Sequence, residues 1–185
     1  MKPSFSTAFS ALVDRMFSFS HPDHPRFEPG DQPVTVRQLT HVYQHMERAM
    51  ADPDRRVTLG DGAADVRRIA EPLRVGKTAE TVFLFGSNQF AFWNGVISRA
   101  SGDRAQDAEE RLTVATLRSW IGTADPDWGL SRELENLIIL GWALQHQRSW
   151  YMGGAAIPAP DVHKVHDQAG AVDWGIPPEM LGVFE

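Results

Sequence analysis

Residues 131–152, SRELENLIILGWALQHQRSWYM, decide the organisation of this chain. Their middle part is apolar on every side, because no charged residue lies between Glu135 and Arg148. A helix of that composition is buried nearly all round. Ser131 is a favourable N-cap, and a glycine pair that begins at Gly153 is expected to end the helix. We therefore expect one long core helix here, around which the other elements pack.

A second clear helix start lies in VTVRQLTHVYQHMERAMA, residues 34–51. Thr35 is placed to cap the helix, and Gln38 stands at the third helical position, which completes a capping box. The same device recurs in LTVATLRSWI, residues 112–121, where Thr113 is the expected cap. This recurrence indicates either two related helical modules or only a common way of starting a helix, and the sequence leaves both interpretations open.

The remaining patterns predict shorter elements on either side of these helices. Residues 5–19 form an amphipathic helix with an aromatic face, which needs a surface to pack on. Helices are also expected over residues 61–73, 88–100 and 162–168, and strands over residues 55–60 and 80–86, the second strand being buried on both faces. This order predicts an α+β fold that is predominantly helical, and it is compatible with winged-helix-like units that have few short strands.

Changes in composition along the chain suggest its boundaries. HPDHPRFEPGDQP is dense in Pro, Gly and Asp, whereas SGDRAQDAEER is polar and charged. We expect an N-terminal amphipathic helix (1–19), a proline-rich loop (20–33), a helical module with short strands (34–100), a connection (101–111), a helical module with the long core helix (112–155) and a proline-rich tail (156–185).

The composition excludes several classes of protein. The formal net charge of −6 argues against a surface that binds nucleic acid everywhere, because phosphates are bound mainly by Lys and Arg. With no cysteine, the chain has no disulfide, thiolate metal site or cysteine nucleophile. Asp14 and Arg15 interrupt the apolar part of the N-terminus, and no apolar run approaches the roughly 20 residues that span a bilayer. We expect a cytoplasmic protein without a membrane partner.

EPLRVGKT, residues 71–78, ends like a phosphate-binding P-loop, G-x-x-x-x-G-K-[ST]. Glu71 replaces the first glycine of that motif, and its carboxylate would repel phosphates. The context is also reversed, since the stretch follows a helical pattern and precedes a strand pattern. We expect instead a helix C-terminus ended by Gly76, with Arg74 and Lys77 near its carbonyls, and we predict no catalytic residue and no cofactor.

His41 and His45 are four residues apart and would share one face of a helix. A zinc-binding helix of the H-E-x-x-H type needs Glu after the first His, and this chain has Val42 there. Spacing specifies no third ligand, so we predict no metal site. An enzyme that uses the two histidines, a nearby carboxylate and a metal ion is kept as a third functional hypothesis.

Basic residues are concentrated in one short part of this acidic chain. They are Arg55, Arg56, Arg67, Arg68, Arg74 and Lys77. Such a concentration is typical of a patch that faces nucleic-acid phosphates. Asp61, Asp65 and Glu71 lie in the same stretch and support the alternative of an ordinary solvated face. We predict the six basic residues as the nucleic-acid-binding site, without knowing whether they share one face.

Several phrases resemble one protein family in their order along the chain. They are HPDHPRFEPGDQPVTVRQLTHVYQHMERAM, RRIAEPLRVGKTAETVFLFG, TVATLRSWI and GLSRELENLIILGWALQHQRSWYMGG. Together they are similar, over residues 19–155, to a region of PglY, the large ATPase of the Pgl and BREX phage-defence systems. The resemblance implies that the ATP-binding P-loop lies in an AAA-type module elsewhere in a longer chain, and that GKT here belongs to a PL-x-x-G phrase.

The leading hypothesis is therefore a non-catalytic module of a PglY-like phage-defence ATPase, which contacts DNA or other components of the defence system. The resemblance implies a methyltransferase and an alkaline-phosphatase-like protein among those components, and it implies that this chain is a piece or a truncated relative of the longer protein. The alternative is a stand-alone protein-interaction scaffold without DNA binding. Its expected contact is an exposed loop, WNGVISRASGDRAQ, residues 93–106.

Overall fold

The computed structural model describes residues 4–27, 32–102, 112–124, 128–152, 155–165 and 183–184. Within these ranges the elements are, in chain order, α1 (Phe5–Ser20), α2 (Val36–Ala51), β1 (Arg56–Thr58), α3 (Ala63–Ile69), β2 (Lys77–Ala79), β3 (Val82–Leu84), α4 (Ala91–Ser101), β4 (Leu112–Thr113), α5 (Val114–Ile121), α6 (Arg132–Gln145), β5 (Trp150–Met152), β6 (Ala155–Ile157) and β7 (Val183–Phe184). A further helical turn spans residues 162–165. The fold is α+β and predominantly helical, as the sequence predicts.

α6 is the core helix that the sequence predicts, and it is buried on nearly every side. Ser131 caps it by accepting a hydrogen bond from Leu134 N, and every residue from Asn136 to Ala143 is buried. Gly141 brings the helix close to its neighbours, because a Cβ at that position would lie 3.1 Å from the Phe90 ring. The small residue thus lets α6 pack tightly against the layer formed by α2 and the start of α4.

The C-terminal part of the predicted core helix is a strand instead. α6 ends at Gln145, and Gln147 adopts a left-handed backbone conformation with φ 53°. The amide of Gln147 donates to Leu144 O and the amide of Arg148 donates to Ala143 O, which is the hydrogen-bond pattern of a Schellman motif. This motif stops the helix before the glycine pair that was expected to end it, and residues 150–152 are then free to form β5.

The first sheet is antiparallel and has the strand order β1-β3-β2. Phe83 of β3 is fully buried and meets the ring of His45 from α2 edge-on. Val82 and Leu84 point to the other face and are only partly buried. The prediction that this strand is buried on both faces is therefore wrong: its inner face packs on α2, and its outer face meets solvent.

A second antiparallel sheet has the strand order β4-β7-β5-β6. β7 pairs with β4 on one side and with β5 on the other, so Phe184 lies opposite both Leu112 and Trp150. The proline-rich tail thus supplies a central strand that its composition does not indicate. The helix predicted over residues 162–168 is present over 162–165, and its remaining residues lie outside the described ranges.

Two further predictions concern single segments. The helix predicted at the N-terminus is confirmed as α1, which Ser4 caps by accepting from Thr7 N at 3.2 Å, yet none of its residues is buried. The loop predicted over residues 93–106 is wrong as far as residue 102, because most of that part lies in α4, with Trp93 and Val96 buried in the core. Residues 103–106 lie outside the described ranges.

Candidate nucleic-acid interface

The outer face of the first sheet brings two of the six predicted basic residues into one row. Arg56 on β1 and Lys77 on β2 both lie opposite Leu84 of β3. Residues opposite one another in antiparallel strands point to the same face, and neighbouring strands are about 4.8 Å apart. The two exposed cations therefore flank Leu84 with backbones roughly 10 Å apart. Arg56 also contacts the exposed Asp54 carboxylate at 2.9 Å, an ion pair that solvent screens.

Arg67 is a third exposed cation next to this sheet. It lies in the last turn of α3, and its Nη2 donates to Glu80 O at 2.5 Å. Glu80 belongs to the tight turn between β2 and β3 and has a φ of 46°. The hydrogen bond therefore ties α3 to the hairpin end opposite the Arg56 and Lys77 row.

Arg55 and Arg68 serve the fold itself. Arg55 has a φ of 55°, and its guanidinium donates to Met50 O, which joins the end of α2 to the first sheet. Arg68 donates to Phe27 O at 3.2 Å, to Gln38 Oε1 at 3.2 Å and to the carbonyl of Gln32. Both side chains are partly buried, so their charges are committed to backbone carbonyls rather than displayed to a ligand.

Arg74 is exposed, and its guanidinium lies on an aromatic cluster. Its guanidinium carbon lies 4.4 Å from the Phe92 ring centroid and 5.0 Å from the Trp128 ring centroid. This cation–π geometry stabilises the contact between the segment after α3 and α4. The structure therefore separates the six predicted residues. Arg56 and Lys77 are exposed on the first sheet, and Arg67 is exposed beside it but donates to Glu80 O. Arg55 and Arg68 are partly buried, and Arg74 is exposed but held on aromatic rings.

The GKT stretch has the geometry of a strand. Lys77 and Thr78 lie on β2, and the Glu71 carboxylate accepts from Thr78 N at 2.7 Å and from Thr78 Oγ1 at 2.8 Å. The predicted helix end at Gly76 is wrong, because α3 ends at Ile69 and Arg74, with φ 55°, is the left-handed residue of a Schellman motif. The Thr78 amide and hydroxyl thus donate to a carboxylate of the protein itself. In a P-loop the same two groups would point toward phosphate and Mg²⁺.

The two histidines of α2 have different surroundings. His41 Nδ1 donates to Asp65 Oδ2 at 2.6 Å, and Gln38 Nε2 donates to Asp65 Oδ1 at 2.9 Å. His45 is fully buried and its Nδ1 donates to His41 O at 2.7 Å. The two imidazole rings therefore bind different partners: His41 binds the Asp65 carboxylate, and His45 binds a backbone carbonyl. Across the ranges that the structure describes, no three His, Asp or Glu side chains are grouped as metal ligands would be.

A surface cavity of about 420 Å³ lies beside His41. Its other lining residues are Gln44, Glu47, Arg48 and Asp61. Burial would raise the pKa of the Asp65 carboxyl, but the hydrogen bonds from His41 and Gln38 outweigh it and hold the pKa below its usual range. Burial also raises the pKa of the Glu47 carboxyl. Sequence reasoning missed the roles of Asp65 and Glu71, because each binds a residue from another element and no local pattern links them.

Among the described residues, no helix combines the length and apolarity that crossing a membrane requires. No curated protein and no solved structure matches the chain. The family model of the BREX System ATPase PglY protein 5th domain matches residues 37–143, which is more than half of the chain and lies inside the stretch whose phrases resemble PglY. The matched region includes α2 apart from Val36, the whole first sheet and most of α6. The chain therefore belongs to the family of the fifth domain of the BREX system ATPase PglY.

Proposed function

We propose that this domain is a non-catalytic module of a phage-defence ATPase and that it contacts the phosphate backbone of DNA through the outer face of its first sheet. The observation that carries the proposal is the row in which Arg56 and Lys77 flank Leu84 on one exposed face. Phosphate contacts need exposed Lys or Arg side chains that are not consumed by internal bonds. Such a module would act in the cytoplasm together with the other components of its defence system.

The order of the elements supports a winged-helix-like arrangement for this unit. α2, β1, α3, β2 and β3 follow one another along the chain, and the third strand lies between the other two. In this arrangement the hairpin of β2 and β3 forms the wing, with the exposed Lys77 at one end and, at the other, the turn whose Glu80 carbonyl binds Arg67 of α3. A short hairpin with an exposed cation is suited to backbone contact without base readout.

The non-catalytic part of the proposal rests on the surroundings of GKT. The Glu71 carboxylate binds the amide and hydroxyl of Thr78, and it would repel a triphosphate at the same place. ATP hydrolysis would accordingly be carried out by another part of a longer PglY-like protein. The contribution of this domain would be to hold that ATPase on DNA.

A titration of the purified chain with fluorescent duplex DNA at several salt concentrations tests the proposal. Each phosphate contact contributes about −0.9 to the slope of log K against log salt concentration. The double variant Arg56→Ala/Lys77→Ala should bind more weakly on every sequence and lower the magnitude of the slope by about 1.8. Arg55 and Arg68 are left unchanged, because their loss would disturb the fold.

A matched control removes two exposed arginines that lie on helices α4 and α6 instead of on the sheet. The variant Arg99→Ala/Arg132→Ala changes the net charge by the same amount and should keep the wild-type slope. Equal losses in the two double variants would show that only net charge matters. Absence of binding at low salt would refute the DNA contact.

A protein component of the defence system is the second candidate for this face. Leu84 is partly exposed between Arg56 and Lys77, and Val82 is partly exposed on the same face between Thr58 and Ala79, so the face combines apolar surface with positive charge. An acidic protein surface with apolar side chains would complement both features. Binding of such a component that is lost in Arg56→Ala/Lys77→Ala, with DNA binding absent throughout, would favour this second function.

A further inference from the structure

α1 displays an apolar stripe to solvent along its whole length. Phe5, Phe9, Leu12, Met16 and Phe19, which we call the seam, are 86%, 57%, 55%, 62% and 89% exposed, and no residue of α1 is buried. The hydrophobic effect disfavours so many large apolar side chains in water. The seam therefore needs a covering surface, and the described part of this chain leaves it open.

The spacing of the seam indicates what kind of surface covers it. Successive seam residues are separated by four, three, four and three positions. This is the 3.5-residue repeat of a and d positions in a left-handed coiled coil, in which the partner is another α-helix. Val13, which is 45% exposed, borders the seam, whereas Phe17, which is 39% exposed, packs on the rings of His21 and His24. The heptad spacing of the five most exposed residues is matched by a helix with the same stripe, such as α1 of a second copy.

The area of the seam is sufficient for a stable pair of identical helices. If a large apolar side chain carries about 200 Å² of surface, the exposed fractions amount to roughly 700 Å² in each copy. Two seams in contact would bury at most about 1,400 Å², and that upper bound lies within the range of roughly 1,200–2,000 Å² found in specific interfaces.

The charges of α1 also permit two copies to meet. Asp14 and Arg15 are the only charged residues of the helix. In a parallel coiled coil Arg15 would face Ser20 of the other copy, and in an antiparallel pair centred on Leu12 it would lie near Ala8. Neither orientation sets like charges against each other. A membrane surface is less suited to α1, because an interfacial helix usually carries several Lys or Arg residues on its polar face.

We propose that α1 pairs with α1 of a second copy of this chain through the seam, and that the domain is thereby a homodimer. The pairing is independent of the proposed DNA contact, since Arg56 and Lys77 lie on β1 and β2 and not on α1. It would give a longer protein that carries this domain two linked copies of every surface.

Sedimentation equilibrium over a wide concentration series tests the pairing. The wild-type chain should be a dimer that dissociates on dilution. The variant Leu12→Glu/Met16→Glu places charges in the seam and should be monomeric at every concentration. The control Ala11→Glu/Ser18→Glu adds the same charges elsewhere on the helix and should remain a dimer. None of the four side chains is buried, so circular dichroism should show both variants folded.

A wild-type chain that is monomeric throughout, or a dimer that the seam variant leaves intact, would overturn the proposal. Sedimentation with phosphatidylglycerol vesicles adds a second arm. A monomeric chain that binds the vesicles, and loses that binding in the seam variant, would assign α1 to a membrane surface and likewise overturn the pairing.

Disulfide cross-linking reports whether the two α1 helices are parallel or antiparallel. Any disulfide must come from an introduced residue, because the chain has no cysteine of its own. Leu12→Cys lies at the centre of the seam and should link two copies in either orientation. Phe5→Cys should link to itself only in a parallel pair, whereas a mixture of Phe5→Cys and Phe19→Cys chains should form the mixed link only in an antiparallel pair. A failure of Leu12→Cys to cross-link would contradict the seam contact.

Discussion

At the residue scale, Gly76 shows how a side chain's absence can serve packing instead of a turn. The sequence suggested that it ends a helix, but it lies beside the ring of Phe83, the buried centre of the first sheet. A Cβ at this position would come within 2.3 Å of the Phe83 ring and 3.2 Å of Leu84 O. The backbone before β2 can approach β3 only because nothing projects from residue 76.

Gly76→Ala should therefore destabilise the domain. The added methyl group must displace the Phe83 ring, and overpacking of this kind costs about 1–3 kcal/mol. Gly60→Ala is the matched control, because a Cβ there meets nothing within 4 Å. Chemical denaturation should show a lower midpoint for Gly76→Ala than for Gly60→Ala, and equal midpoints would contradict the close packing.

The basic residues also show what residue type can and cannot reveal about the site. All six were recognisable from the sequence as a concentration of charge. The sequence did not reveal which of them are exposed and which make contacts within the fold. That depends on contacts between distant segments, such as those of Arg68 with Phe27 and Gln32. The pairing of Arg56 and Lys77 likewise follows from the register of β1 and β2 on β3, which the sequence does not specify.

At the scale of elements, the helix starts that have a side-chain cap were predictable, whereas two helix ends were not. Thr35 and Gln38 form the expected capping box, and Thr113 accepts from Thr116 N as expected, because an N-cap is encoded by residues three positions apart. The ends of two helical segments depend on Arg74 and Gln147 in the left-handed conformation. That conformation is usually associated with Gly, so neither residue indicates a helix end by its type.

Gln147→Gly should stabilise the domain, since glycine adopts the φ of 53° without the steric cost that other residues meet. The gain is limited to about 1 kcal/mol, because glycine also gives the unfolded chain more freedom. Gln44→Gly, at an exposed position within α2, makes the same chemical change in a regular helix and should cost about 1 kcal/mol. Thermal unfolding should show opposite shifts, and a loss in both variants would contradict the Schellman motif.

At the scale of the whole molecule, titratable groups with shifted pKa values, of which His45 is fully buried, set the dependence of stability on pH. Burial lowers the pKa of His45, and the nearby Arg48 guanidinium adds to the effect. Burial also lowers the pKa of His146, whereas it raises the pKa of Glu47. A histidine with a lowered folded pKa contributes stability that is present above its unfolded pKa near 6.5 and is lost as the pH falls below that value. Glu47 opposes this at lower pH, because the folded state holds its proton more strongly.

The free energy of unfolding should therefore decrease as the pH is lowered from about 7 to about 5. His45→Gln removes the titrating ring and should make this decrease shallower. His163→Gln replaces an exposed histidine and should leave the profile unchanged. Urea unfolding at a series of pH values provides the measurement, and a wild-type profile that is flat over this interval would contradict the account of His45.

The architecture of the whole chain was predictable where its contacts are local. The helical periodicity predicts the mostly helical fold and the central place of α6. The second sheet could not be predicted, because β4, β5 and β7 come from separate segments and two of them have only two residues. The proposed boundaries between modules stay a prediction, although the core runs continuously from Leu39 to Val165.

The position of β7 has a consequence for the handling and turnover of the protein. A strand that joins the sheet late in the chain fills the gap between β4 and β5, so its removal would leave both neighbours with unpaired amides and carbonyls. Rows of unpaired groups on a sheet are templates for association with other chains. Proteolytic clipping before residue 183 would thus yield an aggregation-prone fragment even though almost all of the hydrophobic core is retained.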